Sequence, residues 1–321
     1  MGTVYLVDHG SLGRQFALKI LAPDLVNKQN WLRFEAEAKT MASLNHRTFV
    51  RVYDLGVHLG STPFYSMDYL SGRTLEAMLA EEGPIEASQA LDIFIEVLDG
   101  LAYAHRNGII HRDIKPGNIM ICNSGSNPIV KILDFGISKL IGSNTKDPQD
   151  LTAIGEIFGS PYYMSPEQCS GGAVDGRSDI YSLGCTLFEV LTGFVPFEGA
   201  SFVETVMMHQ EQDPPELSKI LPHRRFSHSI ELVVAKCLAK LPQERYQSAK
   251  EMSIDLTRIK EGKDLRDYYD KTEQNKLARY HGNNDDSSKK DKRIGVCLAF
   301  VSLVFAALTA PVLFIHIVDN R

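Results

Sequence analysis

The stretch His111-Arg112-Asp113-Ile114-Lys115-Pro116-Gly117-Asn118, followed by Asp134-Phe135-Gly136, constrains this 321-residue chain more than any other. It sets acidic, amide and lysyl side chains on closely spaced loops between apolar runs. Asn118 and Asp134 carry the hard oxygens that Mg²⁺ prefers. Asp113 offers a carboxylate that can take the proton of an accepting hydroxyl, and Lys115 offers a cation to developing phosphate charge. A fold that uses these groups must bring both loops to one pocket. A lone Asp-Phe-Gly would carry little weight, whereas the two motifs together describe equipment for moving a phosphoryl group.

The motifs resemble those of protein kinases. The resemblance to bacterial eukaryotic-like (Hanks-type) Ser/Thr kinases extends from Met1 to about Lys260, through Ser165-Pro166-Glu167, Leu191-Thr192-Gly193, Pro196-Phe197 and Pro242-Gln243-Glu244-Arg245-Tyr246. It implies an α+β, bilobal fold: a small antiparallel β-sheet lobe with one helix over residues 1–70, and a larger, mainly helical lobe over 71–260. It implies ATP with Mg²⁺, Mn²⁺ being an acceptable substitute, and protein substrates. Asp113, Lys115, Lys19 and Glu37 take the catalytic roles, and Asn118 and Asp134 hold the metal. Lysine two positions after the catalytic Asp marks Ser/Thr specificity in this family. Tyr181, where eukaryotic members commonly carry tryptophan, points to the bacterial branch, and the family also implies lobe-to-lobe homodimers.

In the first lobe, Val4-Tyr5-Leu6-Val7 and Gln15-Phe16-Ala17-Leu18-Lys19-Ile20 read as strands joined by a turn-rich connection over Asp8 to Gly13. The resemblance places Lys19 on the α- and β-phosphates, with Ala17 and Val4 roofing the adenine. Trp31 to Leu44 repeats apolar residues at helical spacing, with Trp31, Phe34, Ala38, Met41 and Ala42 as a stripe. Glu37 is the expected partner of Lys19, with Glu35 as the competitor. In the family Met41 stacks with Phe135 and His111, which makes His111 a buried structural residue. Met67 is the expected gatekeeper, the backbone of Asp68 and Leu70 the adenine-binding hinge, and Met120 and Leu133 the pocket floor. The departure lies at the start: of the family's Gly-x-Gly-x-x-Gly-x-Val loop, only Gly2 and Val4 remain. A misplaced start codon is the expected cause. Loss of the first strand weakens phosphate positioning and leaves an open sheet edge. A catalytically impaired scaffold of the same fold is therefore one alternative, and a small-molecule phosphotransferase a second.

Beyond Gly83-Pro84 an almost continuously apolar helix runs through Ala87, Leu91, Phe94, Leu98, Leu101 and His105, and stops at Asn107-Gly108. By resemblance Ile137 to Glu167 is the activation loop. Thr152 is the first phosphosite candidate, ahead of Thr145 and Ser143, with Arg112 positioned to bind the phosphate. Ser160 belongs to the substrate platform, where the family keeps a hydroxyl touching the catalytic Asp and Lys. Glu167 is expected to pair with Arg245 as a structural bridge. Asp179 would open the central helix and anchor the catalytic-loop backbone.

The balance of 34 basic and 40 acidic residues, a formal charge of −6, gives no reason to expect nucleic-acid binding. The five cysteines lack paired metal spacing and suit a reducing compartment. Residues 261–293 are polar and read as a juxtamembrane linker. Ile294 to Val318 then runs without a formal charge. As a helix it would be about 37 Å long, against a hydrocarbon core of about 30 Å, so residues 294–318 are expected to form a transmembrane helix. Lys289, Lys290, Lys292 and Arg293 precede it and Arg321 follows, so the positive-inside rule puts the kinase portion in the cytoplasm, anchored to the lipid bilayer of a bacterial inner membrane by a single pass.

Overall fold

The computed structural model describes residues 2–11, 13–22, 25–122, 128–135 and 160–266. Gly136, the phosphosite candidates Ser143, Thr145 and Thr152, and the 294–318 segment lie outside them. The chain divides into two units, Met1–Leu265 and Arg266–Arg321, and the fold described is that of the first.

Its first lobe is a four-stranded antiparallel sheet built from β1 (Gly2–His9), β2 (Arg14–Leu21), β3 (Val52–His58) and β4 (Thr62–Asp68), in the order β1-β2-β4-β3. Gly13, at φ +58°, lets the chain reverse between β1 and β2. Strand periodicity turns Ala17, Lys19 and Leu21 to the buried face of β2 while Arg14 and Gln15 stay exposed. Strand β1 lies at the sheet edge, with Val4, Tyr5 and Leu6 about half exposed. A side chain at Gly2 would collide with the Ile20 carbonyl, so glycine permits this close pairing.

Helix α1 (Lys28–Ser43) starts at Asn27, whose side chain accepts the Asn30 N–H at 2.8 Å. Phe34, Glu37, Ala38 and Met41 recur at helical spacing and are buried. Phe34 and Ala38 pack with Leu21 and Tyr65 beneath the sheet. Ala42 is exposed, contrary to its assignment to the apolar stripe. Eight residues beyond Phe34, at 3.6 residues per turn, it has rotated off the buried face.

The second lobe begins with β5 (Gly72–Thr74) and α2 (Leu75–Glu82), followed by the long α3 (Ala87–Arg106). Strand β5 pairs with β6 (Ile119–Cys122), which pairs with β7 (Ile129–Ile132), so the polar His111–Asn118 loop and Asp134 emerge beside one small sheet. The short α4 (Pro166–Cys169) leads to α5 (Gly176–Thr192), the central helix, in which Ile180, Tyr181, Leu183, Cys185 and Phe188 are all buried. Around it lie α6 (Phe202–Glu211), α7 (Leu217–Ile220), α8 (His228–Cys237) and α9 (Ala249–Lys260), the last packed along α3. Leu265 is buried, and its N–H donates to Ser229 Oγ at 3.1 Å, so the packed unit continues past the end of α9. Among the described residues no helix is long and apolar enough to cross a membrane.

Candidate active site

Lys19 sits at the centre of the first half of the site. Its ammonium lies 2.7 Å from Glu37 Oε1 and 3.0 Å from Asp134 Oδ1, linking a strand, a helix and a loop of the other lobe. Burial opposes the charge, but the two carboxylates outweigh it and hold the ammonium above the ordinary lysine range. Burial also lifts the Glu37 carboxyl despite Lys19. The 2.7 Å contact with the charged ammonium favours the ionised pair, whereas the nearby carboxylate of Asp134 works with burial to lift Glu37. Glu35, the competing partner, faces outward and bridges Lys39 at 2.8 Å.

A residue not anticipated from sequence completes this cluster. Tyr65 lies directly across from Lys19 in the β2–β4 register, is fully buried, and donates its hydroxyl to Glu37 Oε1 at 2.8 Å. Burial, followed by the negative charge of Glu37, pushes its phenol well up, so it remains a donor. The signal was available: Tyr65 is flanked by Phe64 and Ser66 in a strand whose alternation puts it on the lysine's face.

The second half gathers on the 111–118 loop. Asn118 Nδ2 donates to the Asp113 carbonyl at 2.8 Å and to Asp113 Oδ2 at 3.0 Å, and Lys115 Nζ lies 3.0 Å from the same oxygen. The Leu133 N–H donates to the Asn118 carbonyl at 2.8 Å, seating Asp134 beside this loop. Asp134 itself is held at φ +33° and Arg112 at φ +68°, both in left-handed backbone that L residues seldom adopt. Such strain persists only when neighbours over-determine it. Asp179 is the main restraint: its buried carboxylate accepts the N–H groups of His111 at 2.8 Å and Arg112 at 2.7 Å and contacts His105 Nε2 at 2.8 Å. Burial works against its ionisation, but these donors hold its carboxyl below the usual range.

His111 is fully buried, with Nε2 2.8 Å from the Leu133 carbonyl and its ring 4.6 Å from that of Phe135. Burial pulls its pKa down, so it stays neutral and structural. Met41 belongs to the same buried cluster as Phe135. Ala17 is buried and Val4 about half exposed. Met67, Leu70 and Leu133 are partly buried against the core, and Met120 is partly buried on β6. The Asp68 N–H is already engaged by the Arg51 carbonyl at 3.0 Å, so that group is not open for the expected adenine contact.

Ser160 departs from expectation. It lines a cavity of about 570 Å³ together with Lys115, Asn118, Tyr163 and Glu189. Among the described residues its hydroxyl nevertheless has no hydrogen-bond partner, Asp113 and Lys115 included. Lys115 and Asn118 instead converge on Asp113 Oδ2.

Glu167 and Arg245 form the anticipated pair, and the bridge is bidentate, at 2.8 and 2.9 Å. Arg245 also donates to the carbonyls of Ala239, Arg177 and Lys240, and its guanidinium stacks 4.8 Å from the Tyr181 ring. Although burial raises the Glu167 carboxyl, hydrogen bonds from Arg245 and Ser178 outweigh it and hold it below its ordinary value of 4.5. A depressed carboxyl adds stability above its unfolded pKa and loses it as pH falls through the folded one. Glu167→Gln is therefore expected to cost about 3–5 kcal/mol near neutral pH, because it strands the buried guanidinium. The deficit should shrink below about pH 4.5. Denaturant titrations of both proteins across acid pH check this, and a gap that stays constant down to about pH 3 would contradict it.

A strand-rich small lobe over a helical one, with a lysine–glutamate pair facing an Asp–Asn–Asp loop cluster, is the architecture of a protein kinase. The protein kinase domain family matches residues 1–255, and this chain belongs to that family. Among curated relatives, the serine/threonine-protein kinase PknB of Mycobacterium leprae is 42% identical over 266 residues, covering 82% of this chain and 41% of that protein. The serine/threonine-protein kinase PrkC of Bacillus subtilis is 38% identical over 257 residues, covering 80% and 38%. The chain thus spans about two fifths of the length of the curated relatives it matches. Of solved structures, the PknI kinase domain of Mycobacterium tuberculosis superposes with a TM-score of 0.61 at 28% identity, covering 80% of this chain and 91% of that one.

Proposed function

We propose that this chain is a Ser/Thr protein kinase that transfers the γ-phosphate of ATP to protein hydroxyls, its own activation loop included. The observation that carries this reading is the convergence of Lys19, Asp134, Asn118 and Asp113 from separate parts of the sequence. The donor set fits Mg²⁺: Asn118 uses its amide nitrogen on Asp113, which leaves its oxygen as the atom for a cation, and Asp134 supplies a half-exposed carboxylate. Two protein oxygens suit a metal that retains waters and shares substrate phosphates. When bound, Mg²⁺ neutralises phosphate charge.

The residues divide the remaining work. Lys19, steadied by Glu37, binds the α- and β-phosphates. Asp113 orients the accepting hydroxyl and takes its proton, and Lys115, already 3.0 Å from that carboxylate, steadies the charge on the transferring group. The cavity beside Lys115 and Ser160 admits the substrate segment. The test is incubation with ATP, Mg²⁺ and a protein acceptor, read by mass spectrometry. Phosphoserine or phosphothreonine is expected, with Thr152 among the self-modified sites. Transfer confined to small molecules, or none, would refute the reading.

Residues 294–318 complete it as a single membrane span, with the linker starting after the buried Leu265, at residues 266–293 and not at 261, and the kinase portion on the cytoplasmic face. The support is the uncharged run and the basic residues before it. In right-side-out vesicles the kinase portion should resist external protease, and its digestion would overturn the orientation. A dimer through the kinase domain is part of the same proposal. Sedimentation of residues 1–266 as a monomer at high concentration would count against it.

A further inference from the structure

Gln168 occupies the third position of α4, and its side-chain amide reaches in two directions. The oxygen accepts the Ser165 N–H at 2.9 Å, while Ser165 Oγ accepts the Gln168 N–H at 3.3 Å, a reciprocal capping box. The nitrogen donates to the backbone carbonyl of Arg112 at 3.1 Å, across 56 positions of sequence.

Arg112 is the strained residue immediately before Asp113, and its N–H is already held by Asp179 Oδ1 at 2.7 Å. Both polar groups of this one peptide residue are therefore gripped by side chains from later in the chain. Capping alone does not require glutamine, because glutamate serves a capping box equally well. Here one partner is an N–H and the other a C=O, so the side chain must accept at one atom and donate at the other, which an amide does and a carboxylate does not. Gln168, Arg112, Asp113, Ser160 and Tyr163 also line a single narrow crevice, so the substrate platform packs directly behind the catalytic loop.

We propose that Gln168 is a positioning residue for phosphoryl transfer: its amide locks the left-handed turn at Arg112, fixes the aim of Asp113, and couples the seating of the substrate platform to the catalytic loop. The proposal rests on the kinase reading for its kinetic part only.

Gln168→Glu separates the two tasks, since it keeps the acceptor for Ser165 but sets a carboxylate against the Arg112 carbonyl. The expected result is a fall in kcat of about tenfold, about 1.4 kcal/mol, with the KM for ATP and the thermal midpoint little changed. Gln168→Met, which loses both bonds, should lower kcat and the midpoint together. Hydrogen exchange at the Arg112, Asp113 and Ile114 amides needs no turnover and should accelerate in Gln168→Glu. Parental kcat in that variant, or a kcat loss matched by a fall in midpoint as large as that of Gln168→Met, would overturn the proposal. So would unchanged exchange at those three amides. If the parent protein transfers no phosphate, the kinase reading fails, while the exchange experiment still decides whether Gln168 holds the turn.

Discussion

Asp113→Asn is expected to lower phosphoryl transfer by about 10³-fold while leaving the thermal midpoint and ATP affinity near those of the parent. The substitution preserves shape, and Asn118 can still donate to the residue-113 backbone carbonyl, as it does at 2.8 Å. What disappears is the carboxylate on which Lys115 and Asn118 converge, and with it the acceptor for the hydroxyl proton. ATP contacts assigned to Lys19 and Asp134 are untouched, so binding and chemistry should separate. Comparison of autophosphorylation rates with calorimetric ATP binding checks this. A mutant that transfers phosphate at near-parental rate would remove Asp113 from the chemistry and return the scaffold or another base to consideration.

Asp179→Ala should be damaging in a different way, losing both activity and stability. The carboxylate is fully buried and accepts from two consecutive backbone N–H groups, and its removal leaves both without that acceptor. Stranding buried partners in this manner costs about 3–5 kcal/mol, roughly a 10 °C fall in midpoint for a unit of this size. Arg112 would then relax from its left-handed conformation, carrying Asp113 with it. Because donors depress the Asp179 carboxyl, its contribution is present above the ordinary value of 3.8 and is lost as pH falls through the lower folded value. The mutant's deficit should accordingly be largest near neutral pH. Calorimetry together with the transfer assay measures both losses. A variant that melts with the parent and retains activity would show that the turn needs no such clamp.

Much of the site was legible in the residue order because its chemistry is local or periodic. The 111–118 loop and Asp134 carry their own signature, and Glu37 follows from sharing a helix face with Phe34 and Met41. The choice over Glu35 needed the family alignment as well, and the structure agrees with it. Strand β3, helix α2 and the second sheet were not anticipated. Strand β5 spans only Gly72–Thr74, too short for alternation to register, and its partner arrives much later at Met120–Cys122. The second partners of Glu37 and Arg112, beyond the anticipated Lys19 and Asp179, were hidden for a related reason. Tyr65 and Gln168 act through cross-strand register and a bond between distant loops, neither of which leaves a mark in local spacing. The Ser160 hydroxyl was read by family position, which specifies a neighbourhood and not a hydrogen bond.

Arg245 has a consequence for how such a domain can be fastened. All its N–H groups meet acceptors, contributed by the α4 corner, the start of α5 and the 239–240 loop. It therefore ties three distant stretches together much as a disulfide would, in a chain whose described cysteines are all free thiols. A rivet of this sort is indifferent to reductant and opens only with acid or when its glutamate is removed.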